Sequence, residues 1–394
     1  MKNKALILAC AALAALMISC KGGQNNHGGE TADSDVTGTT ASQPSDTTSS
    51  PRYAKGFTVT AYDKVIRLVD VADPQTDDER MPASYHFALV PRGCKAMVPE
   101  GYTRVYVPVQ RTIVMTMLQL ADFMALDAYD VIKGITGTKN LFNKEIRQRV
   151  DDGRIVKIGM EGNFDSELIL AANPEVIFIS PFKRGGYTAI EETGITLSPH
   201  LGYKELHPLG QAEWIKFVAM FIGMEREADS IFSGIEHRYN DLKSKVQGSK
   251  FKALPTVMSG EMHGGNWYAV GGRNSLAQLF RDAGADYVVH DDNTGGTNIE
   301  FEKMYELAAD ADYWRILNSY PDRFSYEALL ASEPRNRLFK AFRDRKVIYC
   351  NMKQTPYYES APVQPDVVLK DLLAIFHPEL VEPDYTPTYY TLLK

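Results

Sequence analysis

The chain has 394 residues, of which 44% are hydrophobic and 24% are charged, an ordinary composition for a water-soluble globular protein. This length is sufficient for two globular lobes and a tail. The formal net charge is −7 at pH 7 and no strong basic stripe is present, which argues against nucleic acid as the main partner.

Residues 1–19 have the features of a secretion signal. Lys2 and Lys4 precede an apolar run, Ala5 to Ile18, that is too short to span a bilayer. The run ends in Met17-Ile-Ser-Cys20, which resembles a bacterial lipobox, where cleavage leaves the cysteine as the lipid-carrying first residue. We therefore expect a lipid on Cys20, with an uncleaved anchor or a chance cysteine as the alternatives. In Bacteroidetes-type lipoproteins an acidic run after this cysteine resembles a surface-export signal; Lys21-Gly-Gly-Gln-Asn follows Cys20 instead, which by that resemblance favours a protein facing the periplasm.

Residues 20–52 consist largely of Gly, Ser, Thr, Asn, Gln and Asp. Such a segment buries too little apolar surface to fold, so it predicts a flexible tether. Two cysteines, Cys94 and Cys350, remain in the predicted head. An oxidising compartment would allow them to pair, and the sequence leaves that pairing open. Neither lies in a Cys/His cluster, so no structural zinc is expected.

The head begins with a β-rich extension and continues as two similar lobes. Residues 53–108 alternate apolar and polar side chains in places, which predicts three or four short strands packed on the first lobe. The first lobe, 109–210, has predicted strands at 112–116, 131–136, 176–180 and 195–198, and helices at 118–127, 166–172 and 186–193. The second lobe, 250–394, has predicted strands at 255–259, 287–289, 313–317 and 346–350, and helices at 274–283, 301–309 and 366–376.

A helical stretch, residues 211–249, separates the lobes. Its apolar side chains recur at i, i+3, i+4 and i+7, and Gly223 is expected to divide it into a short and a long helix. The long part, from Glu225 to Gln247, would extend about 35 Å. The predicted fold class is therefore α/β: two lobes, each with a mainly parallel sheet flanked by helices, joined by a long backbone helix.

A ligand of such a protein would sit in the crevice at the carboxyl ends of the strands. Loop cations there would pair with anionic oxygens of a ligand, and aromatic rings would give flat apolar contact. The ligand-binding candidates in these segments are Lys183, Arg184, Trp267, Tyr268, Arg273, Tyr357 and Tyr358. Most of these residues also have an explanation without a ligand. Trp267 would belong to the core, and the Lys-Arg pair would lie in a solvated turn. Arg273 would cap or solvate a helix start, and the Tyr357-Tyr358 pair would be ordinary surface.

Two acids occupy matching positions in the lobes. Glu167 follows Asn163-Phe-Asp-Ser, Glu302 follows Asn298-Ile-Glu300-Phe, and each opens a predicted helix. With the asparagines as N-caps, these acids would simply suit the helix dipole. Alternatively, they form a pair of exposed charges, one per lobe, that orient the protein on basic residues of a membrane partner.

Several segments together resemble a known family. They are Val107-Pro-Val-Gln-Arg-Thr-Ile-Val, Asp165-Ser-Glu-Leu-Ile-Leu-Ala-Ala-Asn-Pro-Glu-Val-Ile, the helical stretch, and Pro365-Asp-Val-Val-Leu-Lys-Asp-Leu-Leu-Ala-Ile-Phe-His-Pro. From about Pro108 to Leu380 the chain is similar to the substrate-binding proteins of ABC importers with a helical backbone (class III), which bind iron–siderophores, cobalamin and haem. It looks closest to a lipoprotein branch from the Bacteroidetes, through His207-Pro-Leu-Gly-Gln-Ala-Glu-Trp-Ile-Lys.

The resemblance implies a lipid-anchored periplasmic receptor that captures a ferric siderophore or related metal chelate and delivers it to the permease. Cobalamin and haem remain alternatives. It also implies that Glu167 and Glu302 form salt bridges with arginines of the permease dimer, with Glu300 as a rival for the second. No intrinsic cofactor or metal site is expected, because the metal arrives inside its chelate.

Two functions of other classes stay open. One is a two-lobed periplasmic enzyme, a hydrolase or a chelatase, using His263 with Glu261 or Asp291. The catalytic templates G-x-x-x-x-G-K-[ST], G-x-S-x-G and H-E-x-x-H do not occur in the chain, which favours a receptor over an enzyme. The other is a lipoprotein that binds a macromolecular partner and no small ligand; it predicts a large exposed apolar patch.

Overall fold

The computed structural model describes residues 51–75, 85–139, 141–160, 163–180 and 187–394. The predicted signal segment, Cys20 and nearly all of the predicted tether lie outside these residues, as do Lys183 and Arg184. Among the described helices, none is both long and apolar enough to cross a membrane.

Four strands near the N-terminus form a sheet in the order β1-β2-β3-β4, antiparallel except for the parallel pair β3/β4. Their bounds are β1 (Phe57–Tyr62), β2 (Ile66–Val71), β3 (Tyr85–Pro91) and β4 (Thr103–Val107). Inward-facing rings join this sheet to the main core: Phe57 lies 5.0 Å from Trp214 and Phe87 lies 5.8 Å from Phe221, between ring centroids. The prediction of three or four strands in this extension is confirmed.

The first lobe contains a five-stranded, fully parallel sheet in the order β11-β10-β5-β6-β7. Because the chain extends the sheet from β5 first on one side and then on the other, its direction of winding reverses between β5 and β10. The elements are β5 (Thr112–Val114), α1 (Met117–Ala125), β6 (Ile132–Ile135), α2 (Lys144–Asp151), β7 (Val156–Lys157), β8 (Gly159–Met160), β9 (Asn163–Phe164), α3 (Ser166–Ala172), β10 (Val176–Ile179), α4 (Thr188–Glu191) and β11 (Thr196–Pro199). Helix α2 and strands β7 to β9 were not predicted.

The two backbone helices are α5 (Pro208–Ile222) and α6 (Glu225–Gly248). Gly223 separates them with φ +74°, a left-handed conformation that glycine adopts without a side-chain clash. Fourteen of the fifteen residues of α5 are buried, because sheets and helices surround it, whereas α6 buries one stripe. The predicted break at Gly223 is confirmed.

The second lobe contains two sheets. The larger has the order β15-β12-β17-β18-β19, parallel except for β19, and the smaller is the antiparallel β13-β14-β16. The elements are β12 (Thr256–Ser259), β13 (Glu261–His263), β14 (Asn266–Val270), α7 (Ser275–Asp282), β15 (Asp286–Tyr287), β16 (Gly296–Ile299), α8 (Phe301–Ala308), β17 (Tyr313–Asn318), α9 (Tyr326–Ser332), α10 (Lys340–Arg343), β18 (Val347–Asn351), α11 (Tyr357–Ser360), α12 (Pro365–Phe376) and β19 (Thr391–Leu392). The smaller sheet, α9 to α11 and β19 were not predicted.

Residues 52–56, which we call the strap, are held by two buried carboxylates. Glu213 accepts the backbone N–H groups of residues 52–54 at 2.7–3.0 Å, and Glu205 accepts those of residues 55 and 56 at 2.9–3.0 Å. Five amides thus supply the hydrogen bonds that buried carboxylates require. Arg52, assigned to the tether from the sequence, is therefore bound to the head, and the tether boundary at residue 52 was wrong.

Replacing Glu213 with alanine is expected to lower the free energy of unfolding by about 3 kcal/mol, because three backbone amides, part-buried or buried, lose their acceptor. Denaturant unfolding would measure the loss, and limited proteolysis should cut near residue 52. The control Glu236→Ala removes the side-chain contacts of Arg52 and Tyr53 but leaves the amides bound. Equal losses in both variants would contradict this account of the strap.

Candidate ligand-binding cleft

A cavity of about 550 Å³ lies between the lobes. Its walls come from both lobes, the start of α5 and the turn after β2: Gln75, Leu118, Tyr203, Lys204, Pro208, Gln211, Tyr268, Val270, Asn274, Ser275, Leu279, Thr294, Gly295, Gly296, Tyr357, Tyr358, Ala361, Pro362, Pro365 and Val368. An adjoining cavity of about 350 Å³ adds Thr116 and Ser180, which follow β5 and β10. The two cavities, together called the cleft, therefore reach the carboxyl edge of the first sheet where its winding reverses, the usual ligand position in α/β folds.

Four tyrosines line the cleft: Tyr203 from the first lobe and Tyr268, Tyr357 and Tyr358 from the second. Burial raises the pKa of Tyr203 to about 12 and also raises the pKa of Tyr358. Both phenols therefore keep their protons at neutral pH and can donate hydrogen bonds. Lys204 is the one charged side chain among the described residues that line the larger cavity, and its Nζ contacts Asp73.

Four helices begin at this cavity. Leu118, Pro208, Ser275 and Pro365 lie in the first turns of α1, α5, α7 and α12, and all four line it. Helices α1 and α5 follow the parallel strands β5 and β11 and so start at the carboxyl edge of the first sheet, whereas α7 follows the antiparallel strand β14 and α12 follows α11. Unpaired N–H groups and the helix dipole make each N-terminus favourable for negative charge. Within the described part of its wall, the cleft therefore favours an anionic ligand through helix N-termini rather than through a row of exposed cations.

Trp267 does not belong to the cleft, and its predicted contact with ligand is wrong. Its side chain is fully buried, packs 5.3 Å from Trp314 between ring centroids, and donates its Nε1–H to the carbonyl of Ser259 at 2.9 Å. Neighbouring residues of a strand point to opposite faces, so Tyr268 faces the cleft while Trp267 enters the core.

Arg273 lines neither cavity of the cleft, so this prediction also needs correction. It lines a separate cavity of about 550 Å³ with side chains of the strap, the segment before α5 and helix α7. Lys183 and Arg184 lie outside the described residues, and their role stays a prediction. Tyr268, Tyr357 and Tyr358 line the cleft as the sequence suggested, and their contact with ligand also stays a prediction.

Sequence reasoning missed several residues of the cleft wall, including Tyr203, Leu118 and Asn274. Tyr203 comes four residues after β11 and could have been found by asking which side chains follow each strand. Asn274 caps α7, accepting the N–H of Leu276 at 2.9 Å, directly after the arginine that was chosen instead. Their neighbours in space come from distant parts of the chain, which no local pattern reveals.

Glu167 and Glu302 are both exposed in the first turns of α3 and α8. The predicted asparagine caps were wrong: Asp165 is the N-cap of α3, accepting the N–H of Leu168 at 3.0 Å, and Glu300 holds that position in α8 without a side-chain bond. Glu302 pairs with Arg335 at 3.0 Å on the surface.

The residues suggested for an enzyme have other partners. Glu261 accepts hydrogen bonds from Asn318 at 3.1–3.2 Å, and Asp291 accepts the N–H of Gly272 at 2.6 Å in a loop. His263 is exposed at the end of β13. Across the described ranges no three His, Cys, Asp or Glu side chains are grouped so as to hold a metal ion. Cys94 and Cys350 are both free thiols.

The family model described as periplasmic binding protein matches residues 113–353. The chain belongs to this family. The match covers both lobes' central strands and the backbone helices of this periplasmic binding protein, whereas the cleft residues from α11 and α12 lie beyond it.

Individual relatives agree with this membership. An uncharacterized lipoprotein of Methanocaldococcus jannaschii is 29% identical over 302 residues, covering 74% of this binding protein and 70% of the relative. A periplasmic haem-binding protein from Pseudomonas aeruginosa is similar in structure with TM-score 0.55 and 18% identity, over 71% of this chain and 96% of its own. A protein of the Fe³⁺-hydroxamate transport system of Saccharomonospora viridis has TM-score 0.52 and 17% identity, over 68% and 94%. At such identities these two structures show the shared fold.

Proposed function

We propose that this periplasmic binding protein captures an anionic ferric chelate of the siderophore class in the cleft and delivers it to an ABC importer. The observation that supports the proposal is the cleft wall, where tyrosine side chains from both lobes line a cavity at which four helices begin. The solved relatives with haem and Fe³⁺-hydroxamate in their names support an iron-containing ligand.

The chemistry of the wall suits a large, flat-sided and negatively charged ligand. Aromatic rings give broad apolar contact, and their hydroxyl groups donate to ligand oxygens. Helix N-termini stabilise negative charge without the desolvation of a lysine or arginine side chain. A chelate that already surrounds its metal requires complementary walls only, so the protein itself need not supply a metal ligand.

Haem is the second candidate, because a tyrosine of the cleft could supply an axial oxygen to its iron. Cobalamin would fit the same rings but offers less negative charge to the helix N-termini. A haem complex would differ from a siderophore complex by a shifted Soret band, so spectroscopy separates these candidates.

We further propose that the head is held at the membrane by a lipid on Cys20 and meets the permease through Glu167 and Glu302. Lipoprotein relatives support the lipid, and the position of both acids on exposed helix starts supports the contact. Labelling with a radioactive fatty acid should mark the chain and fail to mark a Cys20→Ala variant.

Isothermal titration calorimetry on residues 45–394, which form one compact unit, would test ligand capture. The panel comprises a ferric tris-catecholate, ferrioxamine B, cyanocobalamin and haemin. We expect saturable binding of an anionic ferric chelate with a dissociation constant of roughly 1 μM or tighter. If no compound of the panel binds, the receptor function proposed above is wrong.

A further inference from the structure

A buried cation lies behind the wall of the cleft and makes no ion pair within the described residues. Arg315, on β17, is 8% exposed; the carboxylate of Glu261 interacts with it electrostatically but lies outside ion-pair distance. Arginine stays protonated in proteins, and a buried charge without a paired counter-charge is costly. A negative ligand group near this cation would offset part of that cost.

The guanidinium has one hydrogen-bond partner among the described side chains, the phenol oxygen of Tyr390. Both Nε, at 3.0 Å, and Nη2 of Arg315 donate to this oxygen. A phenol oxygen has two lone pairs, so these bonds occupy its acceptor capacity and leave its own hydrogen to donate. Burial holds the pKa of Tyr390 well above its usual range, so that hydrogen is present at neutral pH.

The hydrogen of Tyr390 goes to Tyr357, whose phenol oxygen lies 3.2 Å away. Tyr357 therefore accepts a hydrogen bond from Tyr390, and its own hydroxyl hydrogen has no acceptor among the described residues. Its side chain lines the cleft, so the hydrogen is available to a ligand. Bonds in such a chain polarise one another, so the cation strengthens the last donor.

We propose that Arg315, Tyr390 and Tyr357 form a directional donor chain that selects ligands with an anionic oxygen, whose charge becomes the counter-charge of Arg315. This inference rests on the proposed function and names the side chains that would select the negative charge of its ligand. Tyr357 is the contact residue, while Arg315 and Tyr390 are positioning residues that act through it.

The test compares the full chain with Tyr390→Phe, which keeps the ring and removes the link to Arg315. Tyr389→Phe is the matched control, because its hydroxyl bonds to Ser360 and Gln364 outside the donor chain. Each protein is titrated with an anionic ferric tris-catecholate and with ferrioxamine B, a positively charged ferric trihydroxamate. Tyr357→Phe, which changes a half-buried residue, repeats the test if Tyr390→Phe fails to fold.

We expect Tyr390→Phe and Tyr357→Phe to bind the catecholate roughly five- to fiftyfold more weakly, with little change for any binding of ferrioxamine B. Tyr389→Phe should match the wild type. An unchanged preference between the chelates in both variants, an equal loss for both chelates, or a wild type that prefers the cationic chelate overturns the donor chain while the receptor function stands. A wild type that binds neither chelate overturns both proposals.

Discussion

The double variant Glu167→Lys/Glu302→Lys is expected to lose uptake through the importer by more than about tenfold while ligand affinity stays within about twofold. Both acids are exposed and neither lines the cleft, so the change should act on docking alone. Uptake of a radiolabelled chelate by cells that depend on this chain, together with calorimetry on the purified variant, would measure the two quantities separately.

Each acid lies on an exposed helix start that also carries an exposed leucine. Leu170 on α3 is 55% exposed, and Leu307 on α8 is 40% exposed. Single exposed apolar side chains are ordinary on protein surfaces, so the proposed contact rests on the two acids. The surface pair between Glu302 and Arg335 contributes little stability, so a permease arginine can replace it.

The matched control for docking is Glu227→Lys, which reverses an exposed acid in the first turn of α6. It has the same unfavourable effect on a helix dipole, about 0.3–1 kcal/mol, without belonging to either proposed surface. Normal uptake in the double variant, or an equal loss in the control, would show that the acids serve only their helices.

A second large effect is expected from Asp371→Ala, which should lower the free energy of unfolding by about 4 kcal/mol. The carboxylate is fully buried on α12 and accepts four hydrogen bonds, from the hydroxyl of Tyr385 and the amides of residues 388–390, at 2.6–3.0 Å. Its loss leaves these groups without an acceptor and releases the C-terminal segment, which carries Tyr390. Chemical denaturation would measure the loss.

Asp366→Ala provides the comparison, since it removes another buried carboxylate from the same helix. Among the residues that the structure describes, Asp366 binds one partner, the Nε of Arg238 at 2.6 Å, and that arginine is largely exposed. We expect a loss of about 1 kcal/mol for this variant. If the two alanine variants have equal free energies of unfolding, the four hydrogen bonds at Asp371 do not add the stability expected here.

Periodicity predicted those parts of the fold that depend on neighbours in the chain. The i, i+3, i+4 pattern located α5 and α6, and the left-handed Gly223 located the break, because both are properties of a single segment. The strands of the β13-β14-β16 sheet were not predicted, because each is too short to show a long alternating pattern. Their backbone hydrogen bonds are made by pairing with neighbouring strands.

In the candidate site, too, the features of single segments could be predicted and the contacts between distant segments could not. Tyr357 and Tyr358 were found from their composition and position, whereas Trp267 was assigned to the wrong face although strand alternation could have separated it from Tyr268. The donor chain could not be found, because Arg315 and Tyr390 are 75 residues apart and meet only when the C-terminal segment packs beneath β17.

By itself, the sequence determined the α/β class, the two lobes, the backbone helices and the family, since these follow from local hydrophobic patterns and continuous motifs. The tertiary structure alone decided which side chains face the cleft and that four helices begin there. It also decided that the buried Arg315 is linked through Tyr390 to Tyr357. These features depend on contacts between distant segments and on burial, which sets both the cost of a charge and the direction of each hydrogen bond.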